Sequence, residues 1–168
     1  MGILIEPLGK QHQRAEFTCG QSELDDWFHR RASQDDRRNI ARVFVALNDT
    51  RDVIGFYILS SFTLSLDDVP DEIARKLPRY DAIPAALIGR LARDTRVRGQ
   101  GIGELLLADA VRRILGAGKM LAVFAIVVEA KEQGAIGFYN EFGFRSFPLQ
   151  QNRMFLLTST ASAALEGM

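Results

Sequence analysis

The sequence predicts an α/β domain: a mixed central β-sheet with parallel central strands, flanked by helices. Three observations point there. First, an apolar run over 85–92, an amphipathic stretch over 102–115 and the run Leu-Ala-Val-Phe-Ala-Ile-Val-Val over 121–128 succeed one another. The last is apolar on both faces, as buried parallel strands are. Strand, helix and strand within about forty residues make a βαβ unit with a right-handed crossover. Second, the β-branched and aromatic segments 41–47 and 53–64 flank the turn Asn48-Asp49-Thr50-Arg51-Asp52, so part of the sheet is an antiparallel hairpin. Third, 168 residues with 47% hydrophobic and 25% charged side chains suit a single domain of ordinary globular composition.

The elements follow in order. Ile3 to Leu8 reads as a first strand. Ser22 is placed to cap a helix in which Leu24, Trp27, Phe28 and Arg31 recur at helical spacing. Pro70 opens a short helix that ends before Pro78. Ala85 to Ala92 is a buried strand. In the helix 102–115, Ile102, Leu106, Ala110, Val111 and Ile114 form the apolar stripe. Asp109, Arg112 and Arg113 point away, and Gly116 and Gly118 end the helix. Glu132 to Phe142 forms a second helix, stopped at Gly143, and 144–147 with 154–158 closes as a terminal pair. The domain spans 1–158, with 159–168 as a frayed tail.

Composition excludes several classes. No apolar stretch reaches bilayer-spanning length. Met1 to Glu6 lacks the basic region of a signal peptide, and Glu6 spoils the myristoylation pattern of Gly2. Cys19, the single cysteine, cannot form an internal disulfide. A cytoplasmic location is expected. The formal net charge is zero, which argues against broad nucleic-acid binding. Yet 17 of the 21 basic residues are Arg. They cluster at 30, 31, 37, 38 and 42 and again at 90, 93, 96 and 98. The first cluster reads as a solvated face, the second as phosphate-binding.

The most telling stretch is Arg98-Gly99-Gln100-Gly101-Ile102-Gly103. Three glycines in five residues let backbone N–H groups approach a ligand at the start of a helix. Those donors and the positive end of the helix dipole make an anion site. A dinucleotide-binding fold fits poorly, because its glycine turn follows the first strand and this one lies past mid-chain. His12 and His29 read as surface histidines and Cys19 as a buried structural thiol. No metal-ligand spacing appears. Glu129, at the C-terminal end of the second parallel strand, sits where open α/β sheets bind ligands. It could position an amine, accept its proton or serve a structural salt bridge.

The glycine turn, the apolar strand after it and Ala135-x-x-Phe138-Tyr139-x-x-x-Gly143-Phe144 resemble the GNAT superfamily of acetyl-CoA-dependent N-acetyltransferases. Cys19-Gly20-x-x-x-Leu24-Asp25, Leu77-Pro78-Arg79-Tyr80 and Gly89-Arg90-Leu91-Ala92 further resemble the GNAT toxins of bacterial toxin–antitoxin pairs. Those toxins acetylate the amine of aminoacyl-tRNA and are neutralised by a ribbon-helix-helix antitoxin. The neutral charge, and Glu129 where that group has Asp, depart from the pattern. The resemblance implies the GNAT fold and acetyl-CoA as co-substrate without a metal. Arg98, Gly99, Gln100, Gly101, Ile102 and Gly103 would cradle its pyrophosphate. Leu91, Ala92 and Arg93 would bind the pantetheine arm, and the backbone near Leu91 and Ala92 would polarise the thioester carbonyl. Tyr139 would protonate the departing thiolate; it lies one residue, about 100°, off the buried stripe of Ala135, Phe138 and Phe142. A packing role for its ring is the alternative. Glu129, Arg37 and Arg38 are candidate substrate contacts. Candidate partners are an aminoacyl-tRNA, the antitoxin and a second copy of the chain, and no membrane. Other acceptors open to such an enzyme are a small-molecule amine or a protein N-terminus, and a CoA-binding module without turnover is a further alternative.

Overall fold

The computed structural model describes residues 2–79, 82–132 and 134–166. Seven strands form one mixed sheet: β1 (Leu4–Pro7), β2 (Arg42–Leu47), β3 (Val53–Leu64), β4 (Ile83–Arg93), β5 (Ala125–Glu129), β6 (Arg145–Ser146) and β7 (Arg153–Leu157), in the order β1-β2-β3-β4-β5-β7-β6. The helices are α1 (Ser22–Arg30), α2 (Ala32–Arg37), α3 (Asp71–Ala74), α4 (Ile102–Ala117), α5 (Ala135–Glu141) and α6 (Thr158–Glu166). The expected hairpin is β2 with β3, antiparallel, and the expected βαβ unit is β4-α4-β5, with β4 and β5 parallel. No helix among the described residues is long and apolar enough to cross a membrane.

The chain divides into two compact units. The first comprises 1–60 and 89–110. Its core is aromatic: Phe28 stacks on Phe56 at 4.1 Å between ring centroids, and Phe17 meets both edge-on at 4.9 and 5.4 Å. These rings bury large apolar areas in mutually favourable geometries. Helix α1 lays Leu24 and Phe28 on this core. Ser22 does not cap it. Ser22 is the first helical residue, and Gln21 before it makes no side-chain cap. Asp25 takes over locally, accepting from the Thr18 hydroxyl (2.7 Å) and the Cys19 N–H (2.9 Å). A carboxylate in the first turn also meets the positive helix end. The Trp27 indole donates to Asp35 at 2.8 Å and so ties α1 to α2. Gly55 has a packing reason. A Cβ there would lie 2.9 Å from a Leu106 methyl and 3.1 Å from the Ala92 carbonyl, so only glycine lets the start of α4 sit this close to β3.

Several side chains differ from expectation in this unit. His12 is buried: its Nδ1 accepts the Gly9 N–H at 2.9 Å, so Nε2 carries the proton and donates to Glu6 at 2.7 Å. His29 is half-buried, with Nε2 2.8 Å from the Phe17 carbonyl. Cys19 is half-buried against the core. Asp109 does not point away from the protein. It accepts a hydrogen bond of 2.5 Å from the fully buried Tyr57. A buried phenol needs an acceptor, and one turn of helix brings Asp109 to it.

The second unit comprises 61–88 and 111–168. Its core joins Leu64, Ile73, Ile83, Val127, Phe147 and Phe155. β5 is hydrogen-bonded on both sides, to β4 from Ala85↔Ala125 to Ile88↔Val128 and to β7 from Ala125↔Leu157 to Glu129↔Arg153. Apolar and polar residues do not alternate along 125–128, because both faces of that segment are buried. The strand is shorter than the apolar run suggested. Leu121 bonds back to Ala117 in the turn after α4, and Met120 and Leu121 are exposed. Thr158 donates its hydroxyl to the carbonyls of Val123 (2.6 Å) and Phe124 (3.0 Å). From that anchor 158–166 runs as a helix with Ala161 buried, where the sequence suggested fraying. A helix this short depends on packing more than on propensity, and the buried Ala161 supplies that contact.

Candidate active site

In the first unit, the C-terminal part of β4 leads directly into the glycine turn. The ladder between β4 and β5 stops at Ile88↔Val128. Leu91, Ala92 and Arg93 lie beyond it, with Ala92 buried and the other two half-buried. Asp94 then fixes the direction of the chain. Its side chain is wholly inaccessible and accepts from the Thr18 N–H (3.2 Å), the Arg96 backbone N–H (2.8 Å) and the Nε and Nη2 groups of the Arg96 guanidinium (2.9 Å each). Burial alone would raise its pKa. The Arg96 guanidinium, the Arg96 N–H and the Thr18 N–H together outweigh that and hold the carboxyl below its ordinary value. The same pairing raises the Arg96 pKa. Asp94 caps the 3₁₀ turn Thr95–Val97, and that turn delivers the glycines.

Gly99 and Gly101 have φ of 79° and 77°, a left-handed conformation that only glycine adopts cheaply. A Cβ at Gly99 would meet nothing within 4 Å, and one at Gly101 only the Glu104 carboxylate at 3.8 Å. The turn is therefore open on its outer side. The backbone N–H groups of Gly99, Gly101, Ile102, Gly103 and Glu104 find no protein acceptor among the described residues. They stand at the start of α4, sixteen residues long. Arg98 is exposed and makes no ion pair among the described residues. Converging donors, the helix dipole and a neighbouring guanidinium suit a phosphate. Arg37 and Arg38 lie at the end of α2, both exposed.

In the second unit, Glu129 ends β5. It lies 3.9 Å from the Lys131 ammonium and 3.6 Å from the Arg153 guanidinium, so its nearer partners are structural cations. The three line a polar cleft with Gln150, Gln151 and Asn152. Helix α5 follows Gly134, whose φ of 83° turns the chain into it. Its buried residue is Tyr139, whereas Ala135, Phe138 and Phe142 are only half-buried. This reverses the stripe expected from spacing. The cause is Gly143, with φ of 103°. It reverses the chain so that Phe144 returns onto Tyr139, its N–H bonding the Tyr139 carbonyl at 3.0 Å. The Tyr139 ring is held edge-on between Phe138 (5.2 Å) and Phe144 (5.6 Å). Tyr80, part of one of the quoted motifs, lies outside the described residues.

The sequence profile of the Acetyltransferase (GNAT) family matches residues 7–144. The chain belongs to that family. Among GNAT relatives, it is 35% identical over 166 residues to the "Probable toxin TacT" of Sinorhizobium fredii, covering 94% of this chain and 92% of the relative. It is 35% identical over 149 residues to a "tRNA-acetylating toxin" of Mycobacterium tuberculosis, covering 89% and 88%. Among solved GNAT structures, a tyrosine-to-phenylalanine mutant of KacT superposes with a TM-score of 0.90 at 26% identity, over 98% of this chain and 99% of that one. AtaT complexed with acetyl-methionyl-tRNAfMet superposes with a TM-score of 0.89 at 26% identity, again over 98% and 99%. The enzyme is thus an acetyltransferase of GNAT architecture. Among its described residues, no group of three or more His, Cys, Asp or Glu could hold a metal ion. Asp94 is the structural residue that sequence reasoning missed. The available signal was an Asp directly after a strand and two residues before an Arg, the pattern of an N-cap.

Proposed function

We propose that this GNAT enzyme transfers the acetyl group of acetyl-CoA to the α-amine of an aminoacyl-tRNA, and that it acts in the cytoplasm as a growth-arresting toxin countered by a ribbon-helix-helix antitoxin. The observation that carries the donor half is the set of N–H groups at Gly99, Gly101, Ile102, Gly103 and Glu104, which have no protein acceptor among the described residues. It has the shape and charge for the pyrophosphate of acetyl-CoA, and no side chain fills it. The acceptor half is supported by the likeness to the tRNA-acetylating toxin and to AtaT with acetyl-methionyl-tRNAfMet. The partner is supported by neighbours solved as AtaT with the antitoxin AtaR and as a KacTA–DNA complex.

Bound acetyl-CoA supplies an activated acyl group on a thiolate leaving group. The neutral amine attacks the thioester carbonyl, the nitrogen gives up its surplus proton to solvent, and the C–S bond breaks as the carbonyl reforms. Backbone N–H groups at Leu91 to Arg93 stabilise the charge that develops on oxygen. Tyr139, through its phenol O–H, gives its proton to the departing sulfur. Its aromatic neighbours fix the ring, so little orientation is lost on reaching the transition state. The test is incubation with labelled acetyl-CoA and total charged tRNA. Label should enter the RNA fraction and leave it as an N-acetyl amino acid on mild alkaline hydrolysis. Label on small amines or protein, with none on RNA, overturns the acceptor.

A further inference from the structure

The polar cleft at the C-terminal end of β5 has no part in the donor half of this reaction, and its chemistry is distinctive. About 660 Å³ in volume, it is lined by Glu129, Lys131, Gln150, Gln151, Asn152 and Arg153, without one apolar side chain. Three consecutive amides stand in a single turn. Each amide presents one acceptor and one paired donor, the fork that matches the edge of a nucleobase. Two cations against one carboxylate leave the cleft positive. Both ion pairs of Glu129, at 3.9 and 3.6 Å, are longer than a hydrogen bond, so neither cation is saturated. Arg153 lies over the Phe62 ring at 5.3 Å, and its buried Nε has no acceptor among the described residues. A buried guanidinium N–H without an acceptor is costly. The guanidinium that carries it also lines the cleft. The backbone here is fixed, because the Ala130 N–H bonds the Asn152 carbonyl at 2.7 Å and Arg153 is in register with Glu129.

We propose that this cleft is a nucleotide subsite, which holds an unpaired base of the acceptor RNA. Gln150, Gln151 and Asn152 meet the base edge, and Lys131 and Arg153 meet the adjoining phosphate. Glu129 is a positioning residue that keeps the two cations apart and oriented. The inference rests on the aminoacyl-tRNA reading, because every charged tRNA carries its amino acid on a single-stranded 3′ CCA end. Single-stranded RNA is read in this way, by base edges that stacking does not hide.

The test compares the parent with Gln150→Ala combined with Gln151→Ala, and separately with Lys131→Ala. All three changes are on exposed side chains, and thermal melting verifies the fold. Four quantities are read: KM for charged tRNA, KM for acetyl-CoA, turnover on an amino-acid ester that lacks RNA, and binding of the CCA trinucleotide. The expected result is a rise of about tenfold or more in KM for charged tRNA, since one base-edge pair discriminates by about that much. KM for acetyl-CoA and turnover on the ester stay at parent values, and CCA binding weakens in parallel. Unchanged KM for charged tRNA in both variants overturns the subsite. So does an equal loss on the ester, which would indicate general damage. If the parent leaves charged tRNA unlabelled, the aminoacyl-tRNA reading itself has failed. CCA binding then decides the cleft alone: weaker binding in the variants supports it, and unchanged or absent binding overturns it.

Discussion

Asp94 and Tyr139 show how differently two buried polar residues can serve one enzyme. Asp94 is charged, wholly buried and paired on every side, so its worth is structural. Asp94→Ala would leave the Thr18 and Arg96 N–H groups without their acceptor and should cost roughly 1–3 kcal/mol, read as a lower urea midpoint. Its pH dependence has a definite sign. The folded pKa lies below the unfolded value of about 3.9. The contribution is therefore complete above about pH 4, and it is lost as pH falls through the folded pKa. Parent and Asp94→Asn should converge in stability below that point and differ above it, in urea titrations between pH 6 and 2. A constant difference across that range would refute the assignment. Tyr139 is a different case, since its ring packs while its hydroxyl is assigned to chemistry. Tyr139→Phe keeps the contacts to Phe138 and Phe144. It should bind acetyl-CoA as the parent does, with turnover lower by about 10² to 10⁴. Turnover within about threefold of the parent would show that the thiolate leaves unaided, and circular dichroism verifies the fold.

Among the elements, α4 and its approach are the part of the candidate site most legible in the sequence. The glycine spacing, the stripe of Ile102, Leu106 and Ala110 and the two apolar runs each agree with one βαβ unit, and β4, α4 and β5 form it. Local pattern succeeded there because burial on one face of α4 and both faces of β5 repeats with the element's own period. It failed where a long-range partner decides. Tyr139 is buried by Phe144, beyond a left-handed glycine that no periodicity reveals. Asp109 is turned inward by a tyrosine 52 residues away. His12 is buried through Glu6 and Gly9, which a lone histidine in a sequence does not announce. The glycine turn also carries a prediction of its own. At Gly101, φ of 77° strains any side chain, and an Asp there would stand beside Glu104. Gly101→Asp should abolish acetyl-CoA binding in calorimetry while far-ultraviolet circular dichroism is kept. Unchanged affinity would remove the pyrophosphate from this turn.

For the whole molecule, the zero net charge is an average that hides local imbalance. Along the first Arg-rich stretch the acidic side chains are engaged within the protein. Asp26 pairs with Arg30 at 3.1 Å, Asp35 accepts from Trp27 at 2.8 Å, and Asp36 holds Arg42 at 2.6 Å as well as the Val43 N–H. Arg31, Arg37 and Arg38 make no ion pair among the described residues. Three exposed cations on one short segment thus have no internal counter-charge, and attraction of a polyanion depends on such a local field rather than on the sum. If this face meets the tRNA backbone, Arg37→Glu with Arg38→Glu should sharply lower tRNA acetylation. Acetyl-CoA binding should be unaffected, because the glycine turn is a separate segment. Salt provides the sharper readout. Each phosphate contact releases counterions and steepens the fall of log affinity with log salt by about 0.7 to 0.9. Loss of two contacts should therefore flatten that slope by roughly 1.4 to 1.8 in filter-binding measurements across a salt series. An unchanged slope with weaker binding would mean that the reversed charges repel RNA held elsewhere, and would take this face out of the interface.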